Sequence, residues 1–215
     1  MVSNYWRNCD SIKTISKTEL ACTLLLMPKI IALSQPQAEL YKPSSNEVLI
    51  SIATPDWIDT KYPQPVLSNW SKNFVLSLSF HDSDPKLFDG KKLKHMTWYD
   101  GHQIIAFADE HLGKDFVVHC WKGASRSATI ATVLQTVFAK QGYTLERPSD
   151  CQWKTNNHVR GTLFKAVQER RMEQAIHAGF LAYRKRGDIH EEEKNMSSQM
   201  YEAGWRDCLK HLEKK

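Results

Sequence analysis

The 215-residue chain has no apolar run close to the roughly 18 residues that a membrane-spanning helix requires. It has few cysteines: Cys9, Cys22, Cys120, Cys151 and Cys208 are odd in number and scattered, with no Cys-x-x-Cys pair and no cluster of histidines beside them. That pattern argues against a disulfide framework and a structural zinc site. Neither sign of charge dominates, since Lys plus Arg number 29 and Asp plus Glu 24, a net charge of +5. The surplus allows a phosphate-bearing partner but falls short of the basic stripe of a dedicated nucleic-acid binder, so no nucleic-acid partner is expected. Internal repeats are also missing. What remains is an ordinary globular composition, 41% hydrophobic and 25% charged. The length fits one compact domain with extensions better than two full domains.

The one stretch with the character of an export signal is Leu20 to Leu33, where Ala21 to Met27 is apolar and follows Arg7, Lys13 and Lys17. Glu19, Pro28 and Lys29 interrupt it, so a soluble, cytoplasmic protein with no membrane association is expected. Loop punctuation at Ser34-Gln35-Pro36-Gln37 and Pro43-Ser44-Ser45 precedes the first convincing strand signal, Val48 to Ile52. Two more short apolar runs, Phe74 to Phe80 and Phe116 to Val118, alternate with helical patterns. The alternation predicts an α/β fold with a central, mostly parallel sheet flanked by helices. Helices are expected over Met96 to Leu112, stopped by Gly113, and over Ala128 to Gln141, stopped by Gly142. A third should start at Asn157 as its N-cap, followed by separate helices over Met172 to Arg186 and Ser197 to Lys215.

The third strand runs into Val117-Val118-His119-Cys120-Trp121-Lys122-Gly123-Ala124-Ser125-Arg126-Ser127. A Cys at a strand end, five residues, then an Arg opening a helix make a loop whose N–H groups can converge on one anion, aided by the positive helix N-terminus. Gly123 permits the tight turn, and Arg126 offers a planar fork suited to phosphate. Inward N–H dipoles and the Arg charge favour a thiolate over a thiol at Cys120, placing a nucleophile against a held phosphate.

His119-Cys120-x5-Arg126-Ser127 resembles the signature loop of the protein tyrosine phosphatase superfamily, and the Gly123 to Ser127 ending is most similar to dual-specificity phosphatases; the compact size and the Tyr201 to Arg206 stretch resemble a bacterial or phage member. The resemblance covers roughly Glu47 to Arg171. It implies the cysteine-phosphatase fold with extra C-terminal helices, in three parts: an N-terminal extension 1–46, a catalytic domain 47–171 and a C-terminal helical extension 172–215. It also implies roles. Cys120 is the nucleophile, Arg126 clamps the phosphoryl oxygens, Ser127 stabilises the departing thiolate, and His119 orders the loop from behind. The loop residues Trp121, Lys122, Gly123, Ala124 and Ser125 cradle the phosphate. No metal or other cofactor is implied.

The same chemistry needs a proton donor for the leaving oxygen. Leu78-Ser79-Phe80-His81-Asp82-Ser83-Asp84 follows a strand and resembles the short acidic loop of dual-specificity members, with Asp82 38 residues before Cys120 and Asp84 36. Asp82 is preferred as the acid, with Asp84 in reserve. Thr54-Pro55-Asp56-Trp57 has the residues of a tyrosine-phosphatase acid loop in the wrong order and reads as the turn after the first strand. Asn157 reads as a helix cap rather than a support for the acid loop. His95, His102 and His111 read as helix decoration. Lys91, Lys92 and Lys94 read either as a solvated run or as a steering patch for an anionic substrate.

Two functional classes remain open on the sequence. One is a phosphatase that hydrolyses phosphomonoesters, on phosphorylated proteins or small molecules, through a cysteinyl-phosphate. The other is a catalytically weak module that binds phosphorylated partners without turning them over.

Overall fold

Glu47–Ala53 (β2) is buried along its whole length, as expected for an apolar, β-branched run covered on both faces of a parallel sheet. The computed structural model describes residues 27–55, 63–83, 93–147 and 152–185. Two compact units divide the chain, one ending at Val167 and the other starting at Gln168.

The first unit holds a five-stranded sheet. Its strands are β1 (Lys29–Ser34), β2, β3 (Val75–Ser79), β4 (Asp115–Cys120) and β5 (Thr144–Glu146), in the order β3-β2-β4-β1-β5. Every pairing is parallel. The helices α1 (Gln35–Leu40), α2 (Trp98–Glu110), α3 (Arg126–Val137) and the start of α4 (Asn157–Lys185) complete the α/β fold expected from the sequence. One side of the sheet carries the larger core, in which Val48, Ile50, Ile52, Phe116 and Val118 pack with Ile104, Ile130, Leu134 and Leu163. On the other, Leu49 and Val117 pack with Trp70. Each of these fully buried aliphatic side chains contributes roughly 1.5–3 kcal/mol by leaving water.

β2 and β4 are neighbours, but their onward connections run opposite ways: β2 leads outward to β3 and β4 leads across β1 to β5. Such a reversal opens a crevice at the carboxyl ends of the strands, where ligands of open α/β sheets bind. Cys120 is the last residue of β4.

Three elements depart from the sequence reading. Lys29–Ser34, read as the tail of an interrupted apolar stretch, is a strand in the sheet interior, with Ile30, Ile31 and Ala32 buried between β4 and β5. Pro28, taken as an interruption, stands directly before it, and the sheet begins upstream of Glu47. β5 is only three residues long and left no periodicity to read. The helix from Asn157 continues without a break to Lys185, past the separation expected at Met172. No Pro falls within it, and an i,i+3 ion pair, Arg170 to Glu173 at 3.3 Å, spans that point. The helix expected over Ser197 to Lys215 lies outside the described residues. Gly142 ends the short 3-10 turn after α3 with a φ of 82°, which explains why that stop was readable. Among the described residues no helix is long and apolar enough to cross a membrane.

Candidate active site

The turn from β4 into α3 is fixed on both sides by main-chain bonds. Gln35 N–H, at the start of α1, donates to the Trp121 carbonyl at 3.2 Å, and Lys154 N–H donates to the Ala124 carbonyl at 2.8 Å. Gly123 has a φ of 72°, a left-handed conformation that costs a side-chain-bearing residue energy. It also has no room: a Cβ there would sit 2.7 Å from Ser34 N and 2.8 Å from the Leu33 carbonyl carbon. Glycine is required because the loop rests on the end of β1. The N–H groups of Lys122, Gly123 and Ala124 have no acceptor among the described residues.

Cys120 is 1% exposed, and its Sγ lies 3.2 Å from Ser127 Oγ in the first turn of α3. His119 is fully buried, with Nε2 2.8 Å from Ser51 Oγ of β2. Burial pushes its pKa down to about 4; Glu39 opposes the shift and Arg126 adds to it. The ring is therefore neutral at neutral pH. Trp121 is half-buried and Lys122 exposed.

Arg126 is buried, and its contacts reach across the crevice. Nη1 donates to the carbonyls of Phe80 at 2.6 Å and Ala53 at 3.2 Å, while Nη2 donates to Thr54 Oγ1 at 3.2 Å. The guanidinium thus joins the ends of β2 and β3 to the loop. Its Nε–H is sealed from solvent and has no acceptor among the described residues. An unpaired donor on a buried cation costs more than the usual 1–3 kcal/mol of a neutral one.

Asp82 is exposed, and its Oδ1 accepts from Ser125 Oγ at 2.7 Å and from Asn156 Nδ2 at 2.8 Å. The structure therefore brings Asp82 to the signature loop, with Ser125 as the bridge. Behind it, Lys94 N–H donates to His81 Nδ1 at 3.0 Å and His81 N–H donates to the Lys94 carbonyl at 2.7 Å. Burial lowers the His81 pKa below the usual histidine value. Asp84, Lys91 and Lys92 lie outside the described residues.

Asn156, not Asn157, caps α4: its Oδ1 accepts from Val159 N–H at 3.0 Å. Asn157 is the first helical residue. One side chain thus caps the helix and holds the acid segment, two duties weighed for the neighbouring position from the sequence. Thr54, Ser51 and the Phe80 carbonyl also went unread. Thr54 lay in a segment read as a plain turn, and nothing local marks Ser51. Among the described residues no group of three or more His, Cys, Asp or Glu side chains is arranged to hold a metal ion. The chain matches no family model, no curated protein and no solved structure.

Proposed function

We propose that the chain is a cysteine-dependent phosphatase of the dual-specificity type, acting on phosphomonoesters of proteins or small molecules. The observation that carries this reading is the state of Arg126. Nη1 is bound to the protein's own carbonyls, while the neighbouring Nε–H is buried without an acceptor beside a loop whose N–H groups also lack one. A phosphoryl group on that loop would give Nε an oxygen and accept from the loop N–H groups, at the positive end of α3.

On this reading the steps are as follows. Cys120 Sγ attacks phosphorus as a thiolate, the P–O bond to the leaving oxygen breaks, and Asp82 gives that oxygen a proton. Because Oδ1 of Asp82 is engaged twice, Oδ2 is the oxygen that carries the proton. Water then loses a proton to Asp82 and attacks phosphorus, and the S–P bond breaks. The Ser127 hydroxyl, 3.2 Å from Sγ, stabilises the departing thiolate.

One observation favours a second reading. Both bonds to Asp82 come from donors, which suits a carboxylate holding the loop closed as well as an acid awaiting a leaving group. On that reading the loop binds phosphorylated partners without turnover. Hydrolysis of para-nitrophenyl phosphate in the presence of chelator separates the two. Turnover that vanishes in Cys120→Ser is expected, and phosphopeptide binding with no turnover by the unaltered chain would overturn the phosphatase.

A further inference from the structure

A cavity of about 320 Å3 that the signature loop does not line lies between α3, the segment 153–155 and the first two turns of α4. Trp153 and Phe164 supply aromatic walls, and Lys154 and Arg160 stand at its border. Thr132 and Thr136 complete the α3 side, but their hydroxyls donate to the Ala128 and Thr132 carbonyls, both at 2.8 Å. Those two hydroxyl protons are therefore engaged, while Thr129, also on that wall, accepts from Asn156 N–H at 2.9 Å.

Among the described residues no Asp or Glu lines the cavity, and neither Lys154 nor Arg160 has an ion pair. The Arg160 guanidinium lies over the Phe164 ring, 5.7 Å from its centroid, and Arg147 lies over Trp153 at 5.0 Å. Cations stacked this way keep ring faces and charge together with little freedom to lose on binding. Trp153 also carries a buried Nε1–H with no acceptor among the described residues, a donor of the kind a carboxylate satisfies. The volume is at the small end of ligand sites, enough for one or two fused rings.

We propose that this cavity binds a small aromatic acid, a flat one- or two-ring group bearing one carboxylate. The ring sits against Trp153 and Phe164 and the carboxylate meets Lys154 and Arg160. The site is separate from the phosphate chemistry and stands whether or not the Cys120 loop turns over substrate.

Calorimetric titration of the full chain with 1-naphthoate, and with its neutral carboxamide, tests this. Saturable binding of the acid below about 1 mM is expected, with the carboxamide at least about tenfold weaker, and Lys154→Gln or Arg160→Gln each weakening the acid by about tenfold. Thr132→Phe should fill the space and remove binding. The Gln variants alter side chains at the cavity border and keep the test valid if Thr132→Phe does not fold. Lys122→Gln, in the signature loop, should stay within about twofold. No binding at 1 mM, equal affinity for the carboxamide, unchanged affinity in both Gln variants, or a loss in Lys122→Gln matching that in Arg160→Gln would each overturn the proposal.

Discussion

From Trp121 to Ala124 the chain is fixed through its main chain, by bonds to Gln35 and Lys154 and by a glycine pressed against the end of β1. Among the described residues Asp82 itself, at the other side of the crevice, is held through its side chain, by Ser125 and Asn156. The surroundings of Cys120, the proposed nucleophile, are thus built into the fold. The acid's position rests on two bonds that can be removed singly. The difference suits the proposed phosphatase: on that reading a phosphate cradle has to be in place before substrate arrives, whereas an acid that later serves as a base benefits from freedom to adjust.

Gly123→Ala attacks the rigid side where it is most exposed to damage, and has the largest expected effect. Left-handed strain and the clash with Leu33 and Ser34 should together destabilise the chain by about 2–5 kcal/mol, read as a lower urea midpoint, with phosphate binding lost. A midpoint unchanged to within about 0.5 kcal/mol would mean that β1 does not press on the loop.

The buried ring behind the nucleophile should produce a pH dependence of about 3 kcal/mol. His119 takes a proton near pH 6.5 when unfolded but only near 4 when folded. Its contribution is complete above pH 6.5 and is lost as the pH falls from about 6.5 toward 4, with no further loss below. His81, also held low by burial, acts in the same direction. Urea titrations at pH 7.5, 5.5 and 4.5 check this, and His119→Gln should flatten the profile. A stability that rises on acidification would refute the neutral buried ring.

On the adjustable side, Asn156→Ala removes a cap and a bond to Asp82 together, so about 1 kcal/mol of stability and a several-fold loss of kcat are expected. Asn156→Ser restores the cap but not the reach to Asp82, and should recover stability without recovering kcat. Ser125→Ala has the smallest expected effect, a few-fold lower kcat with stability unchanged within about 0.5 kcal/mol. If Ser125→Ala instead costs as much activity as Gly123→Ala, the two sides are not held differently and the comparison fails.

The legible part of the site was the part written contiguously. Cys120, Gly123, Arg126 and Ser127 fall within eight residues, and their placement follows from a strand, a turn and a helix start. The unread part consists of distant partners. Ala53 and Thr54 precede Arg126 by 73 and 72 residues, Phe80 by 46, and Asn156 follows Asp82 by 74. Local patterns carry no information on such pairings, and Thr54 and Ser51 have nothing unusual about their own surroundings in the chain. The fold divides the same way. β2, β3 and β4 are apolar runs bounded by polar residues, while β1 merges into the apolar residues before it and β5 is too short to show alternation.

β1 lies inside the sheet, yet its neighbour β4 is distant in the chain: Lys29 N–H donates to Asp115 Oδ1 across 86 residues. On the ribosome, at about 5–20 residues per second, β1 therefore emerges on the order of ten seconds before the strand it pairs with. β2 and β3, closer in sequence, are able to pair sooner. Since Gly123 rests on the end of β1, the loop from Cys120 to Arg126 takes shape only when the first-made and later-made strands meet. A nascent chain stalled before Asp115 carries an apolar strand without its central partner, and it is at this stage of synthesis that aggregation is the main hazard.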